Sequence, residues 1–136
     1  MALKFKGVDF IEFDSLLTDD ERLVRDNTRK YIEENLIPII EQCNRDGRFP
    51  KELIQPFGEM GFYGASLKGY GCAGMSNVEY GLVMQELERG DSGVRSFVSV
   101  QSALCMYPIY QFGSEDRKST RLNSSHIQKS RMPSSA

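Results

Sequence analysis

One arginine stands among small hydroxyl side chains in the run GDSGVRSFVSVQSALC. Side chains three or four positions apart share a helix face, so one face here would carry Ser92, Arg95, Ser96, Ser99 and Ser102. A guanidinium group holds a carboxylate through two parallel hydrogen bonds, and small hydroxyls let a ligand approach closely. The face is therefore a candidate carboxylate site. The alternative, which the pattern alone favours, is that the serines pack against a neighbouring helix while Arg95 pairs with Glu88 or reaches water.

A glycine-rich loop precedes this region and formally matches the GxGxxG pattern of dinucleotide-binding proteins. The match is GYGCAG at residues 69–74. A dinucleotide site needs a strand before the glycines, and the preceding GASLK is poor strand material. We therefore predict a tight loop whose glycines take positive φ angles, and we assign no cofactor contacts to it.

Acidic residues cluster just before Gly90, where QELERGD carries Glu86, Glu88 and Asp91. No histidine accompanies them and their spacing fits no metal-ligand pattern, so a solvated helix end is expected. The three cysteines form no CxxC pair, and the only histidine, His126, lies near the C-terminus. The sequence thus predicts no metal site and assigns no catalytic residue.

Helices must position these side chains, and the hydrophobic spacing predicts an all-α bundle of about four helices. Capping boxes at Thr18-x-x-Glu21 and Ser76-x-x-Glu79 predict two helix starts. Pro38 should kink or divide the first helix. The predicted inward positions of the later helices are Val78, Leu82, Leu87, then Val94, Phe97/Val98 and Leu104/Cys105.

The bulk composition is that of one soluble globular domain, with 136 residues, 40% hydrophobic and 26% charged. Residues 116–136 carry five basic residues and one acidic residue, which leaves residues 1–115 with 12 basic and 18 acidic residues, a net charge of −6. An acidic body argues against a nucleic-acid partner. No segment nears the roughly 18 apolar residues of a membrane span, and no signal or transit peptide is recognisable. We expect no membrane partner and a bacterial cytoplasmic protein, or a mitochondrial-matrix one if the source is eukaryotic.

The C-terminal segment DRKSTRLNSSHIQKSRMPSSA has no hydrophobic period and is rich in serine and arginine. This composition predicts a disordered tail over residues 116–136. The segment also back-translates to a common short-read sequencing adapter. We therefore expect an artefactual tail that follows an incomplete helical domain at residues 1–115.

A family resemblance rests on LKGYGCAGMSNVEYGLVMQELERGDSGVRSFVSVQSALCMYPIYQFGSE and extends from about Phe13 to Glu115. These residues resemble the N-terminal helical domain of the acyl-CoA dehydrogenase family, and within it the glutaryl-CoA dehydrogenases. The resemblance implies an FAD enzyme that removes two hydrogens across the α and β carbons of an acyl-CoA thioester. For the glutaryl-CoA branch it also implies decarboxylation to crotonyl-CoA, electron transfer to electron-transfer flavoprotein and a homotetramer.

The resemblance also assigns binding residues. In that branch the Arg-Ser pair after DSG holds the distal carboxylate of the substrate, which implies Arg95 and Ser96 here. Ser99 joins them one turn later, and Glu88 orients the arginine. The family's catalytic glutamate and most of its flavin contacts lie in domains that residues 1–115 do not match. We therefore expect this chain alone to be inactive.

Two alternatives to a glutaryl-CoA dehydrogenase fragment stay open. One is a fragment of an acyl-CoA dehydrogenase or oxidase for another acyl group, and the other is a stand-alone helical binding module. Arg95 distinguishes the first alternative from a glutaryl-CoA dehydrogenase, because a monocarboxylic acyl group needs no cation in its pocket. Val94 and the pair Phe97-Val98 stand where animal members usually carry Tyr and Ala-Met, so the preferred chain length is open.

Overall fold

A computed structural model of the chain describes residues 10–126, which contain helices and irregular connections but no β-strand. This confirms the all-α prediction. A 3-10 turn at Lys51–Leu53 leads into α3, and a π-helical turn at Gln101–Met106 joins α5 to α6. The α-helices are α1 (Asp19–Asn35), α2 (Ile37–Arg45), α3 (Ile54–Glu59), α4 (Asn77–Gly90), α5 (Ser92–Val100), α6 (Tyr107–Phe112) and α7 (Glu115–His126).

Both predicted capping boxes are present. The Thr18 hydroxyl accepts from the Glu21 amide at 3.3 Å, and the Glu21 carboxylate accepts from the Thr18 amide at 2.8 Å. Ser76 and Glu79 make the same reciprocal pair at the start of α4. Pro38 lies in the first turn of α2, where its missing N–H costs nothing, so α1 and α2 are separate helices as predicted.

The core lies between α1, α4 and α5 and is closed by α3 and the following loop. Gly90 allows the last turn of α4 to approach α1 closely. A Cβ atom at this position would lie 2.8 Å from Cγ2 of Ile32 and 2.7 Å from Cδ2 of Leu36. The buried apolar cluster comprises Ile32, Leu36, Leu53, Phe57, Phe62, Tyr63, Leu67, Val83, Leu87, Val94, Val98, Met106 and Leu122.

This close approach makes Gly90→Ala a destabilising substitution. We expect the free energy of unfolding to fall by about 1–3 kcal/mol, because α1 and α4 must move apart. Gly81→Ala on the same helix is the matched control, since a Cβ there meets no atom within 4 Å. The control should gain about 0.5–1 kcal/mol from helix propensity. Urea unfolding monitored by circular dichroism measures both, and equal effects of the two substitutions would contradict this packing.

The π turn changes which residues of the α5–α6 helical run face the core. An uninterrupted α-helix would bury Leu104 and Cys105, as predicted, but Leu104 is 69% exposed and Cys105 is also exposed. Ser102 and Met106 are buried instead. The physical reason is that a π turn holds one more residue than an α turn and moves the inward position along the chain.

The first turn of α4 also differs from the prediction. Val78 was expected to face inward, but it is 48% exposed. The buried residues of α4 are Leu82, Val83, Glu86 and Leu87, so the core begins only in the second turn of this helix.

The segment after Glu115 is helical where disorder was expected, because α7 extends to His126. Leu122 is fully buried in the core cluster, and this single apolar anchor was not apparent from the composition of the segment. Residues 127–136 of the predicted tail lie outside the described residues, and the artefactual origin of the tail stays a prediction. No helix within residues 10–126 is long and apolar enough to cross a membrane.

Candidate functional site

The corner between α4 and α5 places the predicted binding residues. The Asp91 carboxylate accepts the Val94 amide at 2.8 Å and caps α5, while the extended backbone of Asp91 breaks the helical run between α4 and α5. Only this residue separates the two helices, so the last turn of α4 lies beside the first turn of α5. Glu88 and Arg95 therefore meet across the corner.

Arg95 is the centre of a small polar network. Its Nε donates to Oε2 of Glu88 at 2.6 Å, and its Nη1 donates to the Ser99 hydroxyl at 3.4 Å. The Ser99 hydroxyl donates to the Ser96 carbonyl oxygen at 3.0 Å, and the Ser92 hydroxyl donates to Oε1 of Glu88. Within the described part of the chain, Nη2 of Arg95 has no partner. The guanidinium group is thus oriented by one carboxylate and keeps donors for a second.

The electrostatics of the network agree with this geometry. The Arg95 hydrogen bond, followed by that from Ser92, holds the pKa of Glu88 below its ordinary value. Glu88 is therefore ionised at neutral pH. The two side chains are 35% and 46% exposed, so their pair is solvated and a ligand can share the arginine without displacing a buried ion.

The structure brings Arg95, Ser96, Ser99 and Glu88 together, but Ser102 leaves this face. Ser102 is 6% exposed and its hydroxyl accepts the Gly64 amide at 3.0 Å, in the loop after α3. The prediction that Ser102 shares the Arg95 face is therefore wrong. Ser102 lies one turn after the buried Val98, at the start of the π turn, and its hydroxyl bonds to the loop backbone.

Two of the positions expected to alter a substrate pocket lie in the core instead. Val94 and Val98 are almost completely buried in the apolar cluster, on a face of α5 about 60–100° around the helix from Arg95. Phe97 is half-buried, and its ring centroid lies 4.9 Å from that of Phe49. These residues therefore shape the packing of α5 rather than the face that carries Arg95.

A cavity of about 130 Å³ opens beside the same helical run, between the π turn, the loop after α3 and the first turn of α4. Burial raises the pKa of the Tyr80 phenol, and the charge of Arg95 partly offsets that effect, so Tyr80 lies within reach of the arginine's field. The lining residues are Ser66, Leu67, Tyr80, Ser102, Ala103 and Tyr107.

Glu86 was expected at a solvated helix end, but its side chain is 1% exposed. Arg29 on α1 donates to it through Nη2 at 2.7 Å and Nε at 3.1 Å, and Arg89 donates through Nε at 2.8 Å. Burial raises the pKa of Glu86, but the hydrogen bonds and charges of the two arginines outweigh it and hold the pKa below its ordinary value. Glu86 therefore links α1 to α4 and supports the corner that carries Glu88.

The glycine loop does not fit a flavin or dinucleotide site. Gly69, Gly71 and Gly74 have positive φ angles as predicted, and residues 10–68 before them contain no strand. Loop amides bond within the protein, for example Cys72 to the Gly69 carbonyl oxygen at 3.0 Å. Residues 10–126 also contain no group of three or more His, Cys, Asp or Glu that could hold a metal ion. Within the described residues the Arg95 network is therefore a candidate carboxylate site, and no cofactor contact is assigned to the glycine loop.

Comparison with known proteins gives a consistent family match. The sequence model of the family "Acyl-CoA dehydrogenase, N-terminal domain" matches residues 18–125 of this chain. Glutaryl-CoA dehydrogenase of Desulfococcus multivorans is 28% identical over 106 residues, covering 75% of this chain and 27% of that protein. The mitochondrial short-chain specific acyl-CoA dehydrogenase of Bos taurus is 28% identical over 103 residues, covering 75% of this chain and 25% of that protein.

Solved structures match more of the chain. A crystal structure of glutaryl-CoA dehydrogenase from Mycobacterium smegmatis in complex with FADH2 superposes with a TM-score of 0.82 at 44% identity, covering 85% of this chain and 30% of that chain. A chain in a structure of the electron transferring flavoprotein of Acidaminococcus fermentans gives a TM-score of 0.75 at 31% identity, covering 88% of this chain and 30% of that chain. The present chain thus spans about a quarter to a third of the proteins it resembles.

Proposed function

The chain belongs to the acyl-CoA dehydrogenase family through its N-terminal domain, and from this membership we propose that it is part of an FAD-dependent glutaryl-CoA dehydrogenase. The whole enzyme would oxidise glutaryl-CoA across its α and β carbons and decarboxylate the product to crotonyl-CoA. Electron-transfer flavoprotein would accept the electrons, and the enzyme would be a homotetramer. The similarity to the Mycobacterium smegmatis glutaryl-CoA dehydrogenase supports this choice of branch.

The observation that carries the substrate proposal is the orientation of Arg95. Glu88 occupies Nε, which leaves the Nη2 donors for the distal carboxylate of a glutaryl group. Ser96 and Ser99 lie on the same face. The Ser96 hydroxyl would add a donor to that carboxylate, and the Ser99 hydroxyl would do so by turning away from the Ser96 carbonyl oxygen.

FAD, when bound, would accept the hydride equivalent removed from the substrate. By the family resemblance most flavin contacts lie in other domains, so the part that we propose for this domain in catalysis is selection and orientation of the acyl group. No catalytic base is assigned within this chain. Its proposed contribution is to fix the far end of the substrate so that other domains can act on the carbons next to the thioester.

A second candidate is a dehydrogenase for an unsubstituted short acyl-CoA. The 28% identity to the bovine short-chain enzyme favours it, and that identity equals the value for the Desulfococcus multivorans protein. The two candidates differ in whether a distal negative charge is required. An oriented arginine with free donors favours the glutaryl group, because a monocarboxylic acyl chain would leave those donors unpaired.

The proposed function is tested with the complete polypeptide encoded at the locus, purified with FAD. We expect reduction of a flavoprotein electron acceptor with glutaryl-CoA, and formation of crotonyl-CoA and carbon dioxide in equal amounts. The 136-residue chain alone is the control and should carry no stoichiometric flavin. Preference for butyryl-CoA over glutaryl-CoA would contradict the proposal and favour the second candidate.

A further inference from the structure

Ser102 is the most highly connected buried hydroxyl in the α5–α6 run. Its Oγ accepts the buried Gly64 amide at 3.0 Å and lies 2.8 Å from the Val98 carbonyl oxygen and 3.3 Å from the Phe62 carbonyl oxygen. One hydroxyl thus joins its own helix to the loop after α3.

The Ser102 hydrogen bonds lie within the π turn, where the helix changes its register. Val94, Val98, Ser102 and Met106 are all buried, at intervals of four residues. In a regular α-helix, a residue four positions further along lies about 40° further around the helix axis. Three such steps would place Met106 about 120° around from Val94, so Met106 would no longer face the core. The wider π turn offsets this drift. Ser102 is the first inward residue of the turn, and its bonds to the loop hold the turn in place.

Close packing on the opposite side of the contact supports the same arrangement. Gly64 has a φ of +60°, and a Cβ atom there would lie 2.6 Å from Cε of Met106. The loop backbone therefore touches both Ser102 and Met106, which are one turn apart. A regular α-turn would move at least one of these two side chains away from the loop.

The residues that follow Ser102 line the cavity described above. Ala103 and Tyr107 line it together with Ser102 itself, and Ser66 and Tyr80 line it from the loop after α3 and from α4. Its volume of about 130 Å³ is close to the roughly 150 Å³ of a protein cavity that admits benzene, so a short acyl segment fits. Arg95 and Ser99 lie upstream of the π turn, whereas Ala103 and Tyr107 lie within or after it. The turn therefore sets how the cavity wall is oriented relative to the arginine.

We propose that Ser102 is a positioning residue for acyl-group selectivity, which acts by holding the π turn and hence the orientation of Ala103 and Tyr107 relative to Arg95. This inference rests on the proposed function, since it assigns Ser102 to the same acyl site. Ser102 borders the cavity, but its hydroxyl bonds to backbone groups, so we assign its effect on the substrate to the turn.

The test compares variants of the complete polypeptide for the ratio of kcat/KM with glutaryl-CoA to that with butyryl-CoA. Ser102→Ala removes the hydroxyl, and Ser102→Cys keeps nearly the same shape with only weak hydrogen bonding. Both should change the wild-type ratio about tenfold. Hydrogen exchange of the peptide covering residues 62–66 should also accelerate about tenfold, because the Gly64 amide loses its acceptor. If Ser102→Ala does not fold, the cysteine variant provides both measurements.

Thr28→Val is the matched control, because Thr28 is buried in α1 and its hydroxyl donates to the Val24 carbonyl oxygen at 2.8 Å, four residues before it. It should lower stability but leave the selectivity ratio within about twofold. An unchanged ratio in both Ser102 variants, in a wild type that prefers glutaryl-CoA, would overturn the inference and leave the proposed function intact. Unchanged exchange at residues 62–66 would overturn it as well. A wild type that prefers butyryl-CoA contradicts the proposed function, and a shifted ratio in the Ser102 variants would then still support the positioning role.

Discussion

Replacing Arg95 by alanine in the complete polypeptide is expected to lower kcat/KM for glutaryl-CoA about a hundredfold, or ~2.7 kcal/mol. The same substitution should change kcat/KM for butyryl-CoA less than about threefold, since that acyl group carries no distal charge. The physical reason is that the guanidinium donors left free by Glu88 would bind the distal carboxylate. Steady-state kinetics with both thioesters measures the difference.

Two further variants separate the role of the Arg95 side chain from a general effect of removing an arginine. Arg95→Lys keeps the charge but loses the planar fork, so we expect only partial recovery of glutaryl-CoA turnover. Arg48→Ala is the matched control, because Arg48 is also partly exposed and pairs with a glutamate, Glu52, at 3.0 Å. This control should leave both substrates unaffected. Equal loss with both thioesters in Arg95→Ala would assign Arg95 a structural role.

Glu86→Gln is expected to lower the free energy of unfolding by about 2–3 kcal/mol. The substitution keeps the shape of the side chain but removes the charge that Arg29 and Arg89 share. This expected loss is smaller than that for removing one partner of a fully buried ion pair. The reason is that Arg29 and Arg89 are 40% and 38% exposed, so water can partly solvate their charges after the substitution. Urea unfolding at neutral pH measures the loss, with Glu88→Gln as the control at the exposed end of the same helix.

The pH dependence of this effect has a definite sign. The pKa of Glu86 is lowered from 4.5 in the folded state, so its contribution is present above the unfolded pKa and is lost as pH falls through the folded pKa. The stability difference between wild type and Glu86→Gln should therefore narrow as the pH falls below about 4.5. A difference that stays constant between pH 7 and pH 3 would show that the carboxylate charge is not what links α1 to α4.

Local signals in the sequence predicted the helix starts and the break at Pro38 correctly. A capping box joins a hydroxyl and a carboxylate three residues apart, so both partners are visible in four letters of sequence. The corner at Asp91 is equally local, because the cap and the two helices it separates are adjacent in the chain. These short-range features also place Arg95 beside Glu88, and that pairing was anticipated from the residues alone.

Other features depend on distant partners and could not be predicted in this way. The π turn buries Ser102 and exposes Leu104, because Ser102 bonds to a loop about 40 residues earlier in the chain. Glu86 is buried because Arg29 on α1 reaches it, and a run of acidic residues does not reveal such a partner. Leu122 is buried although its surroundings are polar. In each case tertiary contact overrides the local pattern.

The most direct measurement is a crystal structure of the complete protein with glutaryl-CoA bound. The account predicts that an oxygen of the distal carboxylate lies within about 3.2 Å of an Nη nitrogen of Arg95, with Ser96 or Ser99 as a second donor. Glu88 should remain bonded to Nε of the arginine. A distal carboxylate bound elsewhere, with Arg95 paired only to Glu88 and Ser99, would contradict the assignment of this face as the substrate site.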